Sequence, residues 1–431
     1  MTCAQKQSGW SLWLLVGVAM AAWSVFSATN ADAQIVSRMS RSGGPAGMVI
    51  SKRSVDEYAD MLGLTAEQKA TVKTLHEGYR SAMDAVSEEF DAKEEALQEK
   101  VRDTGDATPF QTEIPALMKE RMEKSRGLTK QFLDDVKATL STEQADKWPA
   151  IERKRRRETG LSGGFYSGGD VDLVSLARTE KLDMNAPGMK EALEAYETEM
   201  DQKLKEIESE RSELRKKDNG QAIAIVVTDD GSGPRGSADD RIKKIAEQSK
   251  MLRDINERHV QKIAASLPEA ERAKFEAAFD RRAFPRIYKP AYASDMLEAA
   301  HGMEDLTDEQ KQKIAAAKEQ YESQIKALNR TWEESQRNAE DVSGMGNMGL
   351  MMMGFGGGDK NDDVSKARKA LNEARKARKD LDSATEKKLK EILTPDQRDR
   401  LPEKRKDDEG DGPGNVRIQI GGGGGAQDDE D

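Results

Sequence analysis

Cysteine is almost absent from this 431-residue chain: Cys3 is the single copy. The chain can close no disulfide on itself, and beyond residue 3 it has no thiol for metal ligation or nucleophilic attack. Aromatic residues make up only 5%, and there are three histidines, His76, His259 and His301. No two of them stand four residues apart, so a zinc site would need carboxylates or several parts of the chain to converge. Surface or seam positions are the simpler reading for all three, and no cofactor is expected. After residue 33 no apolar run approaches the ~20 residues that a membrane helix needs. There is no Gly-x-Ser-x-Gly elbow, no phosphate-binding glycine loop and no His-Glu-x-x-His. Carboxylates are plentiful but dispersed along charged faces, so an enzyme is not expected. The net charge of −11 argues against a general nucleic-acid binder.

What the chain has in quantity is charge: 35% Asp, Glu, Lys and Arg, with both signs interspersed. That profile suits long solvated helices with a narrow apolar seam rather than one large core. At the start, Lys6, the largely apolar stretch Trp10–Phe26 and the small-x-small triplet Ala31-Asp32-Ala33 read as a secretory signal, with the mature chain beginning near Gln34. An uncleaved anchor is less favoured, because the stretch is barely long enough to span and holds Gly and Ser. Cys3 precedes the stretch, the wrong side for a lipoprotein signal. A periplasmic or otherwise secreted location follows, where helix packing alone must supply stability.

One short phrase recurs. Leu64-Thr-Ala-Glu-Gln68 returns as Leu140-Ser-Thr-Glu-Gln144, Leu306-Thr-Asp-Glu-Gln310 and Leu393-Thr-Pro-Asp-Gln397, with a worn copy at Leu267-Pro-Glu-Ala-Glu271. Thr or Ser followed three residues later by Gln is a capping box: the hydroxyl accepts from an orphan helix N–H and the Gln reaches back to the cap. Pro395 falls at the first helical position, where its missing N–H costs nothing. The structural-motif residues are therefore Leu64, Thr65, Gln68, Leu140, Ser141, Gln144, Leu306, Thr307, Gln310, Leu393, Thr394 and Gln397.

Aligned on that phrase, the chain reads as three tandem units. Val72, Leu75, Tyr79, Met83, Val86 and Phe90 follow the first motif; Ile314, Ala317, Tyr321, Ile325, Leu328 and Trp332 hold the same offsets in the third. The middle unit matches with Met189, Ala192, Tyr196, Met200 and Ile207, Lys203 breaking the series beside Leu204. The alternating spacing of three and four puts each set on one helix stripe, and internal duplication is the simplest explanation. A second stripe in each unit (Leu128, Phe132, Val136, Leu140; Leu252, Ile255, Ile263, Leu267; Leu381, Leu389, Leu393) ends in a motif copy, and an apolar anchor follows eight residues later at Trp148, Phe275 and Leu401. The first helix should run from about Thr65 to Arg102, roughly 55 Å at 1.5 Å per residue, and the second should run back from about Thr112. The expected fold is all-α: tandem repeats of long antiparallel helical hairpins with short capping helices and flexible Gly-rich linkers. One seam of this kind buries little, so units must pack on each other or on a partner.

The boundaries read as a signal at 1–33, a flexible segment at 34–53, unit 1 at 54–158, a Gly/Ser linker at 159–170, unit 2 at 171–290 with a flexible loop at 216–239, unit 3 at 291–406 with a Gly/Met loop at 342–359, and a disordered acidic, Gly-rich tail at 407–431. Two short apolar runs, Ile223–Val227 and Val416–Ile420, could pair as a small strand, although both are short and flanked by glycine. Met345, Met348, Met351, Met352 and Met353 form a thioether cluster that is a weak candidate for Cu(I), against the plainer reading of an apolar loop. Arg153-Lys-Arg-Arg-Arg157 could dock on anionic lipid or nucleic acid; a solvated helix end is favoured, since cations suit that end of the macrodipole.

The motif copies, behind a signal peptide and at paired spacing, resemble the Spy/CpxP family of envelope stress proteins. The resemblance implies a small periplasmic helical protein acting as an ATP-independent holdase or stress-sensing adaptor, with unfolded or envelope proteins as partners, some self-association and, for some members, a link to zinc. This chain departs from the family by stringing three units together and by carrying Leu182-Asp-Met-Asn185 where the middle unit's first motif should stand. Met and aromatic side chains beside dense charge can also offer an adaptable apolar surface on physical grounds alone. Tyr79, Met83, Phe90, Tyr196, Met200, Tyr321 and Trp332 are the candidate client-binding seam, although helical periodicity by itself favours core for most of them. The rival readings are a structural scaffold without client activity and a metal-responsive envelope protein; membrane-surface contact is not favoured.

Overall fold

The computed structural model describes residues 49–404, apart from 107, 162–163, 218–236, 348 and 350–361. All regular structure among the described residues is helical. Helix α1 (Lys52–Leu62) leads into the first hairpin, α2 (Ala66–Thr104) and α3 (Thr108–Ala138), followed by the short α4 (Thr142–Ala145) and by α5 (Trp148–Gly160). The second unit has α6 (Leu173–Thr179), the long pair α7 (Pro187–Lys217) and α8 (Ser237–Ala265), then α9 (Glu269–Ala283) and α10 (Pro285–Tyr288). The third has α11 (Tyr292–His301), the long pair α12 (Asp308–Ser343) and α13 (Asp362–Ile392), and α14 (Pro395–Arg398).

Local chemistry sets the helix ends. Thr65 caps the 39-residue α2, and Gly105 closes it in the left-handed region at φ +68, its N–H bonded to the Val101 carbonyl. The observed bounds lie within a turn of the expected Thr65 and Arg102. Gly63 ends α1 at φ +67 and turns the chain straight into the first motif. At the corresponding place before Leu182 stands Lys181, also left-handed at φ +57 and the one non-glycine residue so placed among the described residues.

Three apolar cores form. The first joins α1, the near halves of α2 and α3, and α5, around Leu62, Val72, Tyr79, Phe132, Trp148 and Ile151. The third joins α11 to the near ends of α12 and α13 around Met296, Ile314, Tyr321 and Leu389. The middle core, between α6, α7, α8 and α9, also takes in Trp332, Ala339, Ala367, Leu371 and Ala374 from the far half of the third hairpin. One hairpin thus serves two cores.

Two boundaries differ from expectation. The segment read as a Gly/Ser linker, 159–170, is packed: Leu161, Tyr166, Ser167, Gly168 and Gly169 are buried. Its glycines bring the backbone against α8, where the Tyr166 N–H donates to Ser249 Oγ at 3.1 Å and Asn256 Nδ2 donates to the Gly168 and Val171 carbonyls at 2.7 and 2.8 Å. A Cβ on Gly169 would sit 3.0 Å from the Ser249 carbonyl oxygen, so glycine here serves close approach rather than flexibility. The segment read as flexible to residue 53 also ends early, because Ile50 is buried in the first core and α1 begins at Lys52. The signal region, the Ile223–Val227 run, the acidic tail with Val416–Ile420, and most of the two long loops lie outside the described residues.

Candidate functional site: motif clasps, seams and the basic run

The four intact motif copies each form a complete capping box, and the structure then joins them in pairs. Gln68 Oε1 accepts from the Thr65 N–H at 3.0 Å, while Gln68 Nε2 donates to Gln144 Oε1 at 2.8 Å and to the Thr139 carbonyl at 2.9 Å. Gln144 reciprocates: its Oε1 accepts from the Ser141 N–H at 3.0 Å, and its Nε2 donates to Gln68 Oε1 at 2.9 Å and to the Gly63 carbonyl at 3.1 Å. The third unit repeats the arrangement, with Gln310 Nε2 donating to Gln397 Oε1 and to the Ile392 carbonyl at 2.9 Å each, and Gln397 Nε2 donating to the Asp305 carbonyl at 3.3 Å. Only an amide carries an acceptor and two donors in one head group. Glutamine is therefore required twice over, once to close its own cap and once to clasp the start of the long helix to the turn that ends the hairpin. The motif leucines point inward: Leu64, Leu306 and Leu393 are buried and Leu140 is half-buried.

The middle unit has no clasp. Asp183 Oδ1 accepts from the Asn185 N–H at 3.0 Å where the first motif would stand, and Pro268 caps α9 without a side-chain bond. Arg272 instead donates to the Ala264 and Leu267 carbonyls at 3.0 and 3.3 Å, so a cation covers the carbonyls at that helix end.

The tyrosine at the shared register ties the hairpin to what precedes it. Tyr79 OH accepts from the Ile50 N–H at 3.2 Å and lies 3.1 Å from Thr129 Oγ1. Tyr196 OH accepts from the Leu173 N–H at 3.3 Å and donates to the Val171 carbonyl at 3.4 Å. Tyr321 departs from this and donates to Asp382 on α13 at 2.7 Å. All seven candidate seam residues, Tyr79, Met83, Phe90, Tyr196, Met200, Tyr321 and Trp332, are buried. They are core and present no face to a client in this conformation, because each stripe is covered by the returning helix and the short flanking helices. Half-exposed apolar side chains occur instead at the far end of the first hairpin: Leu97, Val101, Ile114, Leu117, Met118 and Met122. Phe90 marks the end of the covered part, with Lys93 Nζ 4.5 Å and Lys124 Nζ 5.1 Å from its ring centre. Among the described residues, Met251 is the most open of the large apolar side chains, at 39% exposure.

The basic run is not a solvated helix end. It lies in α5 between the first two units, and Lys154, Arg156 and Arg157 are paired. Lys154 meets Glu57 at 2.6 Å and Glu158 at 2.9 Å; Arg156 meets Asp201 at 2.7 Å; Arg157, 1% exposed, meets Asp172 at 3.2 Å and Glu197 at 2.7 Å. Arg178 of α6 adds a bond to Glu57 at 2.8 Å. Burial raises the Glu57 and Asp201 carboxyls, but these cations outweigh it and hold both below the ordinary carboxylate value. Apart from Glu158, one turn from Lys154, the partners lie 15 to 121 residues apart, so sequence spacing gave no sign of them.

His76 Nε2 lies 2.8 Å from the Ile50 carbonyl, His259 Nε2 lies 2.8 Å from Glu199, and His301 is exposed. No group of three or more His, Cys, Asp or Glu side chains among the described residues could hold a metal ion. Of the methionine cluster, Met345 is half-buried beside Ser343; Met348, Met351, Met352 and Met353 lie outside the described residues.

No curated protein and no solved structure matches the chain. Residues 51–151, the segment that holds the first clasp and its hairpin, match the model described as LTXXQ motif family protein, and that match supports the general class of envelope proteins for this chain.

Proposed function

We propose that this chain binds other proteins in the cell envelope, as an ATP-independent holdase of the kind its motifs suggest. The observation that carries the reading is the far end of the first hairpin, within the segment that matches the LTXXQ family. There Leu97, Val101, Ile114, Leu117, Met118 and Met122 stay half-exposed inside a dense charged rim. The corresponding end of the third hairpin is covered by the second unit. Adaptable methionine and leucine side chains ringed by charge suit weak, varied binding of extended apolar segments.

The test is light scattering of an unfolded, aggregating protein with the purified chain added at near-stoichiometric ratio. Suppression is expected, and a Leu97→Gln/Leu117→Gln variant with unchanged helix content should lose most of it. A second reading, a scaffold without client activity, draws on the burial of all seven seam residues. Failure of the folded chain to suppress scattering would favour the scaffold, and suppression indifferent to the double variant would move the binding surface elsewhere.

A further inference from the structure

The first and third hairpins share one register. Tyr79 on α2 meets Thr129 on α3 at 3.1 Å, and Tyr321 on α12 meets Asp382 on α13 at 2.7 Å, each pair at the same offsets from its motif leucines. Positions therefore carry over from one hairpin to the other. Counted from Leu64 and Leu306, Leu97 takes the place of Ala339. Counted back from Leu140 and Leu393, Ile114 and Met118 take the places of Ala367 and Leu371. On the third hairpin those side chains are buried in the core shared with the second unit. On the first hairpin their counterparts are half-exposed.

The polar contacts around the covered face give the chemistry an occupant must bring. Asp341 of α12 takes Arg253 and Lys250 of α8 at 2.9 and 3.1 Å, Arg337 pairs with Glu257 of α8, and Glu333 accepts from Tyr288 of α10 at 2.6 Å. The matching positions on α2 are Glu99, Glu95 and Asp91. Arg121 bonds Asp91 across the hairpin at 3.2 Å. Glu95 and Glu99 are exposed and enter no ion pair among the described residues. The opposite edge of the hairpin is closed by ion pairs of its own, Lys93 with Glu89 and Glu120, Lys100 with Glu113, and Lys124 with Glu89. Ser125, on the stripe of α3 that holds Ile114 and Met118, stands where Arg378 stands on α13. Its hydroxyl is buried without a hydrogen-bond partner, whereas Arg378 donates to the Ile287 carbonyl of the second unit at 3.2 Å.

We propose that this face of the first hairpin takes a cationic amphipathic segment of another envelope protein, its apolar side chains set on Leu97, Ile114 and Met118 and its Lys or Arg side chains over Glu95 and Glu99. The proposal rests on the reading of the hairpin's far end as a binding surface and names the class of partner. Glu99 keeps the acid that Asp341 offers to two cations of α8, and Glu95 puts a second acid where the third hairpin has Arg337. The face thus calls for cations at both points. The second unit of another copy does not fit, because its Glu257 would stand opposite Glu95 and its docking face is filled by its own third hairpin. Burial of the apolar row supplies affinity; the acidic row selects the partner, since opposed like charges are penalised.

The test is fluorescence anisotropy of labelled peptides with the purified full chain at about 0.15 M ionic strength. The probes are an amphipathic Lys/Leu peptide and counterparts of the same pattern with Glu or Gln in place of Lys. The Lys/Leu peptide should bind at least about tenfold more tightly than either counterpart, and Glu95→Lys/Glu99→Lys should remove that preference. Glu319→Lys/Glu322→Lys makes the same change of net charge on exposed positions in the near half of α12, and should leave the preference in place. Circular dichroism reports whether each variant keeps its helix content. Equal affinity for the three peptides, a preference kept by the folded Glu95/Glu99 variant, or one lost equally in both variants would overturn the partner class while scattering suppression still stands. No binding of any peptide would also overturn it, and joined to a failure to suppress scattering would remove the binding surface itself.

Discussion

At the scale of single residues, the clasp glutamines separate two roles that the capping motif merges. If Gln68 only closed its own cap, Gln68→Glu would be neutral, since a capping box accepts either residue. The clasp forbids this, because a carboxylate at 68 would face Gln144 Oε1 and leave the Thr139 carbonyl without its donor. Gln68→Glu and Gln68→Ala should each lower the stability of the first unit by about 1–2 kcal/mol, read as a fall in urea midpoint at unchanged slope; a neutral Gln68→Glu would reduce the clasp to a pair of independent caps. Arg157 is the other decisive side chain. Replacing it with Met leaves Asp172 and Glu197 without their shared cation. Because both acids keep some water, the loss should be roughly 1–3 kcal/mol, below the figure for a fully buried pair. Urea unfolding at pH 7 would measure it, and a gain in stability would mean that desolvation of the guanidinium outweighs its pairing.

At the scale of elements, each long hairpin starts from a turn whose backbone decides the entry angle. Gly63 makes that turn with a left-handed residue at no steric penalty, whereas Lys181 makes it with a side chain. A non-glycine residue there costs roughly 1–2 kcal/mol, partly offset because glycine frees the unfolded chain. Lys181→Gly should therefore stabilise the second unit by about 0.5–1 kcal/mol, and Gly63→Ala should destabilise the first by a similar or larger amount. Thermal melts of the two variants should shift in opposite directions; shifts of the same sign would remove the turn argument. Capping, stripes and stops were legible in sequence because they depend on residues three or four apart. Thr65 and Gln68 placed the start of α2 to within a turn, and α3 begins one turn ahead of the expected Thr112, at Thr108.

At the scale of the whole molecule, the two joints differ in kind. Ion pairs from α5 and α6 stitch the first unit to the second, whereas a shared apolar core unites the second with the third. Deleting residues 291–431 withdraws five side chains from the middle core, so the second unit should lose its cooperative transition in calorimetry while the first keeps its own. Retention of the second unit's transition would show that the borrowed tip is dispensable. High salt should act chiefly on the first joint, because the second has a shared apolar core behind its ion pairs between α8 and α12. At 1 M ionic strength screening sets in within about 3 Å, so protection of α5 should fall while that of α9 and α12 holds. Uniform protection across both joints would contradict the division.

The sequence by itself determined the helices, their caps and their apolar faces, because each rests on local periodicity and hydrogen bonding. It also showed that one seam could not stand alone. Tertiary structure decided which groups meet: Gln68 with Gln144, Arg157 with Asp172 and Glu197, Ser167 with Glu340. Those partners lie 15 to 173 residues apart, beyond the reach of any helical spacing. The same holds for the segment at 159–170, whose glycines suggested looseness by composition but serve a close approach to α8 that only the folded chain defines. Burial, too, was decided there: a periodic stripe gives the face a helix hides but not the element that covers it, which is why the seam residues proved to be core and the half-exposed apolar surface lies farther along the first hairpin.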